Sequence, residues 1–454
     1  MKKAALHNLG CKVNAYETQA MQQLLEAAGY EIVAFHEKAD VYVVNTCSVT
    51  NIADRKSRQM LHRARRLNPQ AVIVAAGCYV QTAGPDVGKE GIADIILGNN
   101  KKEHLVSMID RYLKEQAPVT DWEDVNQGKK EYEQLAVSRA AGHTRAFLKI
   151  QDGCNQFCSY CVIPYARGRV RSRRQQDVLE EVYRLAENGC QEIVLTGIHL
   201  SSYGIGMEDV HAGPCRGHLR PDADDSRHAL LQLLQQIHQA DGIRRIRLGS
   251  LEPGIITRPF AQALAEMEKI CPHLHLSLQS GSDTVLARMN RKYDTKEYAN
   301  KCEILRACFD RPAITTDVIV GFPGETDAEF AETREFLEQI HFYEMHIFKY
   351  SVRKGTRAAS MDGQVEESVK AARSAQLLAL GEQMSAQYRE GFVGEVKDVL
   401  LEEPFVHDGR RYEAGYTKEY VKVAVASEQN RTNCVVRGKI TGHLTRDIYL
   451  MVEF

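Results

Sequence analysis

Gly153-Cys154-Asn155-Gln156-Phe157-Cys158-Ser159-Tyr160-Cys161 sets three cysteines at the spacing C-x-x-x-C-x-x-C, directly after the run Phe147 to Gln151, with no fourth cysteine nearby. A structural zinc site or an electron-transfer [4Fe-4S] cluster takes four protein ligands. Three thiolates on one tight loop therefore point to a cluster with one iron left open to another ligand. Three buried structural cysteines or a partial zinc knuckle are the alternatives, but this spacing is rarer and more specific than a lone C-x-x-C.

Outward from the loop, Phe147 to Gln151, Glu192 to Thr196, Arg245 to Gly249, His273 to Leu278, Ile314 to Gly321 and Glu344 to Tyr350 read as strands. Helical segments such as Asp177 to Asn188 and Thr326 to Gln339 separate most of them. Six such units predict a partial (β/α)6 barrel with its site at the carboxyl ends of the strands, where the cysteine loop falls. Tyr203 to Arg227 breaks this rhythm and reads as an inserted loop. Glu366 to Arg389 is one long helix, and from Gly394 to Phe454 short apolar runs alternate with turn residues as in a small β-barrel.

Toward the amino terminus, Lys3 to Leu9, Val41 to Val44 and Ala71 to Ala76 read as strands. Helices over Tyr16 to Ala28 and Asp54 to Leu67 lie between them, and the periodicity predicts a doubly wound parallel sheet. Ligands in such sheets sit off the carboxyl ends of the strands. Cys11, Cys47 and Cys78 fall at those ends and are expected to converge. The fold class is α/β, with expected divisions at 1–113, a polar linker at 114–145, the barrel at 146–363 with its insertion at about 204–227, a connecting helix at 364–390 and a final β-barrel at 391–454.

The 454 residues carry a net charge of -2, which argues against a global electrostatic grip on nucleic acid and leaves any RNA contact to local basic patches. No apolar stretch approaches the roughly 18 residues of a membrane helix. The start, Met1 to Leu6, is cut short by His7, Asn8 and Lys12 before it could serve as a signal peptide. A cytoplasmic protein with no membrane partner is expected. Twelve cysteines in that setting point to reduced thiols used for metal or catalysis.

The cysteine loop resembles that of radical S-adenosylmethionine (SAM) enzymes, and over nearly its whole length the chain resembles the radical SAM methylthiotransferases. Gly10-Cys11-Lys12-Val13-Asn14, Asn45-Thr46-Cys47-Ser48-Val49-Thr50 and Gly77-Cys78-Tyr79-Val80-Gln81 match the segments that ligate that family's auxiliary cluster. The resemblance implies two [4Fe-4S] clusters, one on Cys154, Cys158 and Cys161 and one on Cys11, Cys47 and Cys78. It also implies SAM as cofactor, a TRAM-type RNA-binding barrel at the carboxyl terminus, and tRNA as partner through its anticodon loop. A low-potential electron donor and a sulfur source are further implied partners. In the family's reaction a SAM-derived radical removes hydrogen from C2 of an adenine and a methylthio group replaces it. By family position Tyr160, Ser280, Gly281, Ser282 and Gly321 are candidate SAM contacts. The acidic Gly-Gly-Glu type motif of many radical SAM enzymes is replaced by Thr196-Gly197-Ile198-His199, so no amino-group contact is assigned.

Arg167, Arg169, Arg171, Arg173 and Arg174 follow the cluster loop, and arginine suits phosphate forks and base stacking. The first four, with Lys418 and Lys422 of the tyrosine-rich final segment, are candidate RNA contacts. Arg55, Lys56, Arg58, Arg63, Arg65 and Arg66 form a second patch, for which a solvated helix face is an equal alternative. Gly10 to Asn14, Asn51 to Arg58, Ile163 to Arg169 and Thr196 to Leu200 look most like the members acting on N6-threonylcarbamoyladenosine at position 37 of tRNA. Isopentenyladenosine, a ribosomal protein side chain, or a non-catalytic iron-sulfur or zinc RNA-binding role are the alternatives. A loop nucleotide is a sensible target, because its base can be unstacked and presented to a barrel mouth. His211, Cys215 and His218 in the insertion form a possible metal trio. Cys190, Cys271, Cys302, Cys308 and Cys434 read as structural.

Overall fold

In the computed structural model, which describes residues 2–84, 87, 91–128, 130–139, 144–207 and 229–454, the first layer is a parallel six-stranded sheet. Its elements are β1 (Lys3–Asn8), α1 (Lys12–Ala27), β2 (Glu31–Ile32), β3 (Val41–Thr46), α2 (Asn51–Leu67), β4 (Val72–Gly77), α3 (Cys78–Ala83), β5 (Ile95–Leu97), α4 (Leu105–Glu115) and β6 (Val119–Asp121). β3 and β4 are buried along their whole length, so their apolar runs need no alternation. The strand order β2-β1-β3-β4-β5-β6 reverses direction between β1 and β3. That crevice is where a doubly wound sheet receives a ligand, and Cys11, Cys47 and Cys78 directly follow β1, β3 and β4 or their turns.

α1 starts at Lys12, with Cys11 as its N-cap, four residues before the apolar periodicity that begins at Tyr16. Its first turn carries Asn14, whose buried amide donates to the carbonyls of Leu9 and Thr46. A polar residue in that role hides a helix start from a hydrophobic pattern. The expected linker at 114–145 is also corrected. Val119–Asp121 is the sixth strand of the sheet, and Val125, Tyr132, Leu135 and Val137 are buried.

The second layer contains β7 (Arg145–Lys149), β8 (Gln151–Asp152), α5 (Ile163–Arg167), β9 (Arg171–Ser172), α6 (Gln175–Glu187), β10 (Glu192–Thr196), α7 (Ala229–His238), β11 (Arg245–Leu248), α8 (Arg258–Glu266), β12 (His273–His275), α9 (Asp283–Arg288), α10 (Thr295–Cys308), β13 (Ala313–Val320), α11 (Asp327–Ile340) and β14 (Glu344–Lys349). Two parallel sheets, β7-β10-β11 and β12-β13-β14, are joined by the bridges Ile246↔Ile270 and Leu251↔Leu276. Together they make an arc of six strands in chain order. Ala146, Leu148, Ile193, Leu195, Ile246, Leu248, Leu274, Ile314 and Val318 share one core with residues of α6, α10 and α11. Their alternating neighbours therefore face the concave side.

α12 (Glu367–Glu390) leads to β15 (Val396–His407), β16 (Arg410–Tyr416), β17 (Lys422–Ala426), β18 (Val435–His443) and β19 (Tyr449–Glu453), which close as β15-β16-β17-β19-β18. This barrel docks on the arc. Arg245 donates to the carbonyls of Tyr416 at 2.7 Å and Asp398 at 2.8 Å, and Tyr343 donates to that of Tyr420 at 3.0 Å.

The amino-terminal layer meets both edges of the arc. Glu17 of α1 pairs with Lys149 of β7 at 2.7 Å. Beyond β14, Arg353 reaches Asn51 at 2.7 Å, Ser48 at 2.8 Å and Asp54 at 2.8 Å. The insertion and its trio His211, Cys215 and His218 lie outside the described residues. Among the described residues no helix is long and apolar enough to cross a membrane.

Candidate active site

The three-cysteine loop is closed by backbone contacts that demand its sequence. Gly153 has φ +71°, and a Cβ there would lie 2.0 Å from the Arg169 carbonyl oxygen, so only glycine fits. The Cys154 N–H donates to the Gly168 carbonyl at 3.0 Å and the Cys161 N–H to the Cys158 carbonyl at 3.0 Å. From outside, Asn290 donates to the Phe157 carbonyl at 3.0 Å, and the Ser159 N–H donates to the Met289 carbonyl at 3.0 Å. Arg291 Nη1 lies 3.1 Å from Cys158 Sγ, and its Nη2 donates to Glu252 at 2.6 and 2.7 Å. Burial pushes the Cys154 thiol up to about 12, against a hydrogen bond from the Gln156 N–H and with the charge of Cys158. Cys161 is raised by burial and then by Cys158 and Cys154.

Three separate strand ends build the second trio. Gly10, at φ +105°, lets the turn after β1 pass so close that a Cβ would meet Cys47 Sγ at 2.8 Å. Burial pushes Cys47 up to about 12, with further contributions from the charges of Cys78 and Cys11. Cys11 is raised by burial, opposed by Arg167 and reinforced by Cys78. All six sequence-expected cysteines thus fall into two groups whose members act on one another's charge. Burial and crowding raise the proton affinity of Cys11 and Cys47 in one trio and of Cys154 and Cys161 in the other, which fits a group that binds thiolates, because a bound iron would offset the repulsion between the charged forms.

The groups are neighbours. Asn99 Nδ2 lies 3.6 Å from Cys78 Sγ and 2.7 Å from the carbonyl of Ala166, in the helix that follows the cysteine loop. Arg167 of the same helix donates to Asn14 at 2.6 Å, Glu17 at 2.8 Å and Asp152 at 3.1 Å. Lys149 pairs with Glu17 at 2.7 Å and Asp152 at 2.6 Å, and Lys102 with Glu17 at 3.3 Å. Burial works against both carboxylates, but Arg167, Lys102 and Lys149 hold Glu17 well below its usual range. Arg167, Lys149 and Arg171 do the same for Asp152.

This network corrects the RNA assignment of the arginine run. Arg167 is 0% exposed, Arg171 is buried with its guanidinium on the Arg167 and Arg169 carbonyls, and Arg173 is buried against Glu181 at 2.6 Å. None has a face left for phosphate. Charge alternation in the sequence could not separate buried ion pairs from a solvated patch. Arg169 is exposed and lies over Phe157, 4.5 Å from its ring centre. Lys418 is half-exposed and donates to the Glu268 carbonyl at 2.6 Å, at the joint between barrel and arc. Tyr416 and Tyr420 stack on each other beneath Arg145 at the same joint. Lys422 pairs with Glu403 at 2.9 Å. On α2, Arg55, Lys56, Arg63 and Arg66 are exposed, whereas Arg65 holds Asp94 at 2.7 Å.

Among the SAM candidates, Tyr160 sits beside Phe322, with ring centres 6.5 Å apart, and so lies next to Gly321. Gly321 at φ +71° is packed against Lys370. Ser280, Gly281 and Ser282 are a correction: Ser280 Oγ and the Gly281 N–H are taken up by Thr333, and Ser282 donates to Glu332 at 2.5 Å. The two hydroxyls and the glycine N–H fasten the turn before α9 to α11. Sequence reasoning missed Arg291, Glu252 and Asn99. A charged pair at Arg291-Lys292 and a lone Glu252 after β11 carry no spacing signal, although Glu252 does lie at a strand's carboxyl end.

Two family models match the chain: Uncharacterized protein family UPF0004 over residues 3–98 and the Radical SAM superfamily over residues 148–337. The first spans the five strands β1 to β5 of the sheet bearing Cys11, Cys47 and Cys78, and the second spans most of the arc and its loop. The chain is 41% identical to the threonylcarbamoyladenosine tRNA methylthiotransferase MtaB of Bacillus subtilis (strain 168), covering 97% of this chain and 94% of that one. It is 37% identical to the protein of the same name from Aquifex aeolicus (strain VF5), over 88% and 93%. To a tRNA-2-methylthio-N(6)-dimethylallyladenosine synthase of Pelotomaculum thermopropionicum it is 34% identical, over 88% and 87%. Its fold is similar to that of the radical SAM methyltransferase TsrM of Kitasatospora setae, with TM-score 0.56 and 16% identity over 79% of this chain and 74% of that one.

The arc and its cysteine loop are those of a radical SAM enzyme, a class that works with SAM and a [4Fe-4S] cluster. Within that class, the chain belongs to the family of radical SAM tRNA methylthiotransferases.

Proposed function

We propose that this enzyme methylthiolates C2 of N6-threonylcarbamoyladenosine at position 37 of tRNA, using SAM and two [4Fe-4S] clusters, in the cytoplasm. The observation that carries the reading is the adjacency of two thiol trios, linked through Asn99 and Arg167, at the junction of the sheet and the arc. Cys154, Cys158 and Cys161 would hold one cluster, and Cys11, Cys47 and Cys78 the other. When bound, these groups supply the electron that cleaves SAM and the sulfur that is inserted.

The protein's own residues do the rest. Arg291 donates to a ligand sulfur and is itself fixed by Glu252, which offsets thiolate charge and orients the loop. Tyr160 with Gly321 and Phe322 forms one wall for the SAM adenine. The closed carboxyl-terminal barrel acts as the TRAM-type RNA module, with Lys422 on its surface and Arg169 at the cluster loop as phosphate contacts. An electron donor and a sulfur source are the remaining partners.

Relatives named for the dimethylallyl substrate, at 34% identity, favour isopentenyladenosine as the second reading. Nucleoside mass spectrometry of tRNA from cells lacking the protein, complemented with the native chain or Cys154→Ala, separates the two. The 2-methylthio group is expected to vanish from threonylcarbamoyladenosine alone and to return only with the native chain. Loss from isopentenyladenosine instead would transfer the assignment.

A further inference from the structure

The concave face of the arc carries a polar group that the cysteine chemistry does not use. Leu274, Ile314 and Val318 pack outward, so His273, His275, Thr315 and Asp317 face inward. The strand register sets His275 opposite Thr315 and Asp317 opposite His346. Thr315 Oγ1 lies 3.0 Å from His275 Nδ1, which turns Nε2 toward Asp317, 3.3 Å away. His275 is only 8% exposed, yet its Nε2 has no hydrogen-bond partner. The His346 ring stacks 5.9 Å from it.

The cations around this group divide into spent and unspent. Arg247 is held by Glu192 at 2.9 Å and Arg145 by Glu402 at 2.8 Å. Lys12, the residue after Cys11, is exposed and has no ion pair or hydrogen bond among the described residues. Its ammonium lies within electrostatic reach of Arg247, Arg145 and Asp317. Burial, and after it the charges of Arg247 and Lys12, hold the neighbouring His273 well below its ordinary value. Lys12 is therefore the one cation beside this group, among the described residues, that no carboxylate pairs at contact distance, and it is available to an anionic substituent.

We propose that His275, Asp317 and His346, with Lys12, form the subsite for a polar, anionic substituent on N6 of the target adenosine. This rests on the threonylcarbamoyl reading. That substituent carries urea N–H groups, a hydroxyl and a carboxylate. Asp317 accepts from an N–H or the hydroxyl, His275 Nε2 becomes a hydrogen-bonded donor, and Lys12 neutralises the carboxylate. An isopentenyl group would instead cover the imidazole nitrogen, the carboxylate and the ammonium with hydrocarbon and offer none of them a partner. A site built on such groups rejects the analogue that lacks them.

The test is equilibrium binding of anticodon stem-loops carrying threonylcarbamoyladenosine, adenosine or isopentenyladenosine at position 37 to the cluster-loaded enzyme. The native protein is expected to prefer the threonylcarbamoyl form over plain adenosine by roughly 10- to 100-fold. In Asp317→Leu, His275→Leu and Lys12→Gln that ratio should fall to within about threefold of one. Variants that keep the native ratio while weakening all three RNAs equally would overturn the subsite and leave these residues a structural role. Stoichiometric zinc or manganese bound by the native protein and lost in His275→Leu would overturn it in favour of a cation site, since the ligand atoms lie within 4.8 Å of one another. A native preference for the isopentenyl form would fail the underlying substrate reading too. Retained threonylcarbamoyl preference in every variant would sink the subsite alone.

Discussion

The two cysteine trios present the same three thiols by opposite means. Cys154, Cys158 and Cys161 lie within eight residues and are shaped by local turns, with Gly153 and the Cys161 to Cys158 backbone bond setting the loop. Cys11, Cys47 and Cys78 are scattered over 68 residues and meet only because β1, β3 and β4 are neighbours in one parallel sheet. A local trio depends on its loop. A dispersed trio depends on a whole sheet, so its integrity is coupled to fold stability and to whatever anchors that sheet to the arc.

The largest expected effect tests whether the trios are functionally distinct. Cys154→Ala should abolish SAM cleavage, a loss of at least about 10³-fold of the order seen when a reacting group is removed. Cys11→Ala should retain cleavage, read as 5'-deoxyadenosine, and lose methylthio product. Equal loss of cleavage in both would erase the distinction.

The coupling between the trios is tested next by Arg167→Met. It strips two buried carboxylates of a shared partner and should cost about 3–5 kcal/mol in urea unfolding, as breaking a buried pair does. The native pH profile carries the same signature. The folded values of Glu17 and Asp152 are depressed, so their stabilisation is present above the unfolded carboxylate values near about 4 and is lost as pH falls toward the lower folded ones. Melting temperatures below about pH 4 should therefore drop less steeply in Arg167→Met than in the native protein. Parallel curves would show that the network does not join the two sites.

The smallest effect concerns the local loop alone. Arg291→Gln removes a donor to Cys158 and should reduce cluster retention or SAM cleavage by about 10- to 100-fold while leaving the Cys11 trio's iron intact. Iron counting on a Cys11→Ala background reads the loop cluster, and on a Cys154→Ala background the Cys11 trio. Unchanged retention and cleavage would assign Arg291 to Glu252 and to folding only.

Reading outward from the cysteine loop, the sequence exposed both trios, the strand order of the arc and the final barrel, because cysteine spacing and apolar runs are local signals. It misplaced the start of α1, where buried Asn14 interrupts the apolar face, and took Val119–Asp121 for linker, since three residues at a sheet edge have no measurable period. The arginines after the loop were the main misreading. Arg167, Arg171 and Arg173 share one composition with a nucleic-acid patch, and only burial against Glu17, Asp152 and Glu181 distinguishes them.

What the sequence determined by itself was the chemistry on offer: three thiols on a loop, three more at strand ends, and the strand and helix periods that place them at carboxyl ends. Tertiary structure decided which charges remain available. Arg167 is spent on Glu17 and Asp152, Arg173 on Glu181, and Lys12 on nothing among the described residues. The reason is that a charge's partners come from strands and helices distant in the chain, so its solvation and pairing are properties of packing, which no local pattern encodes.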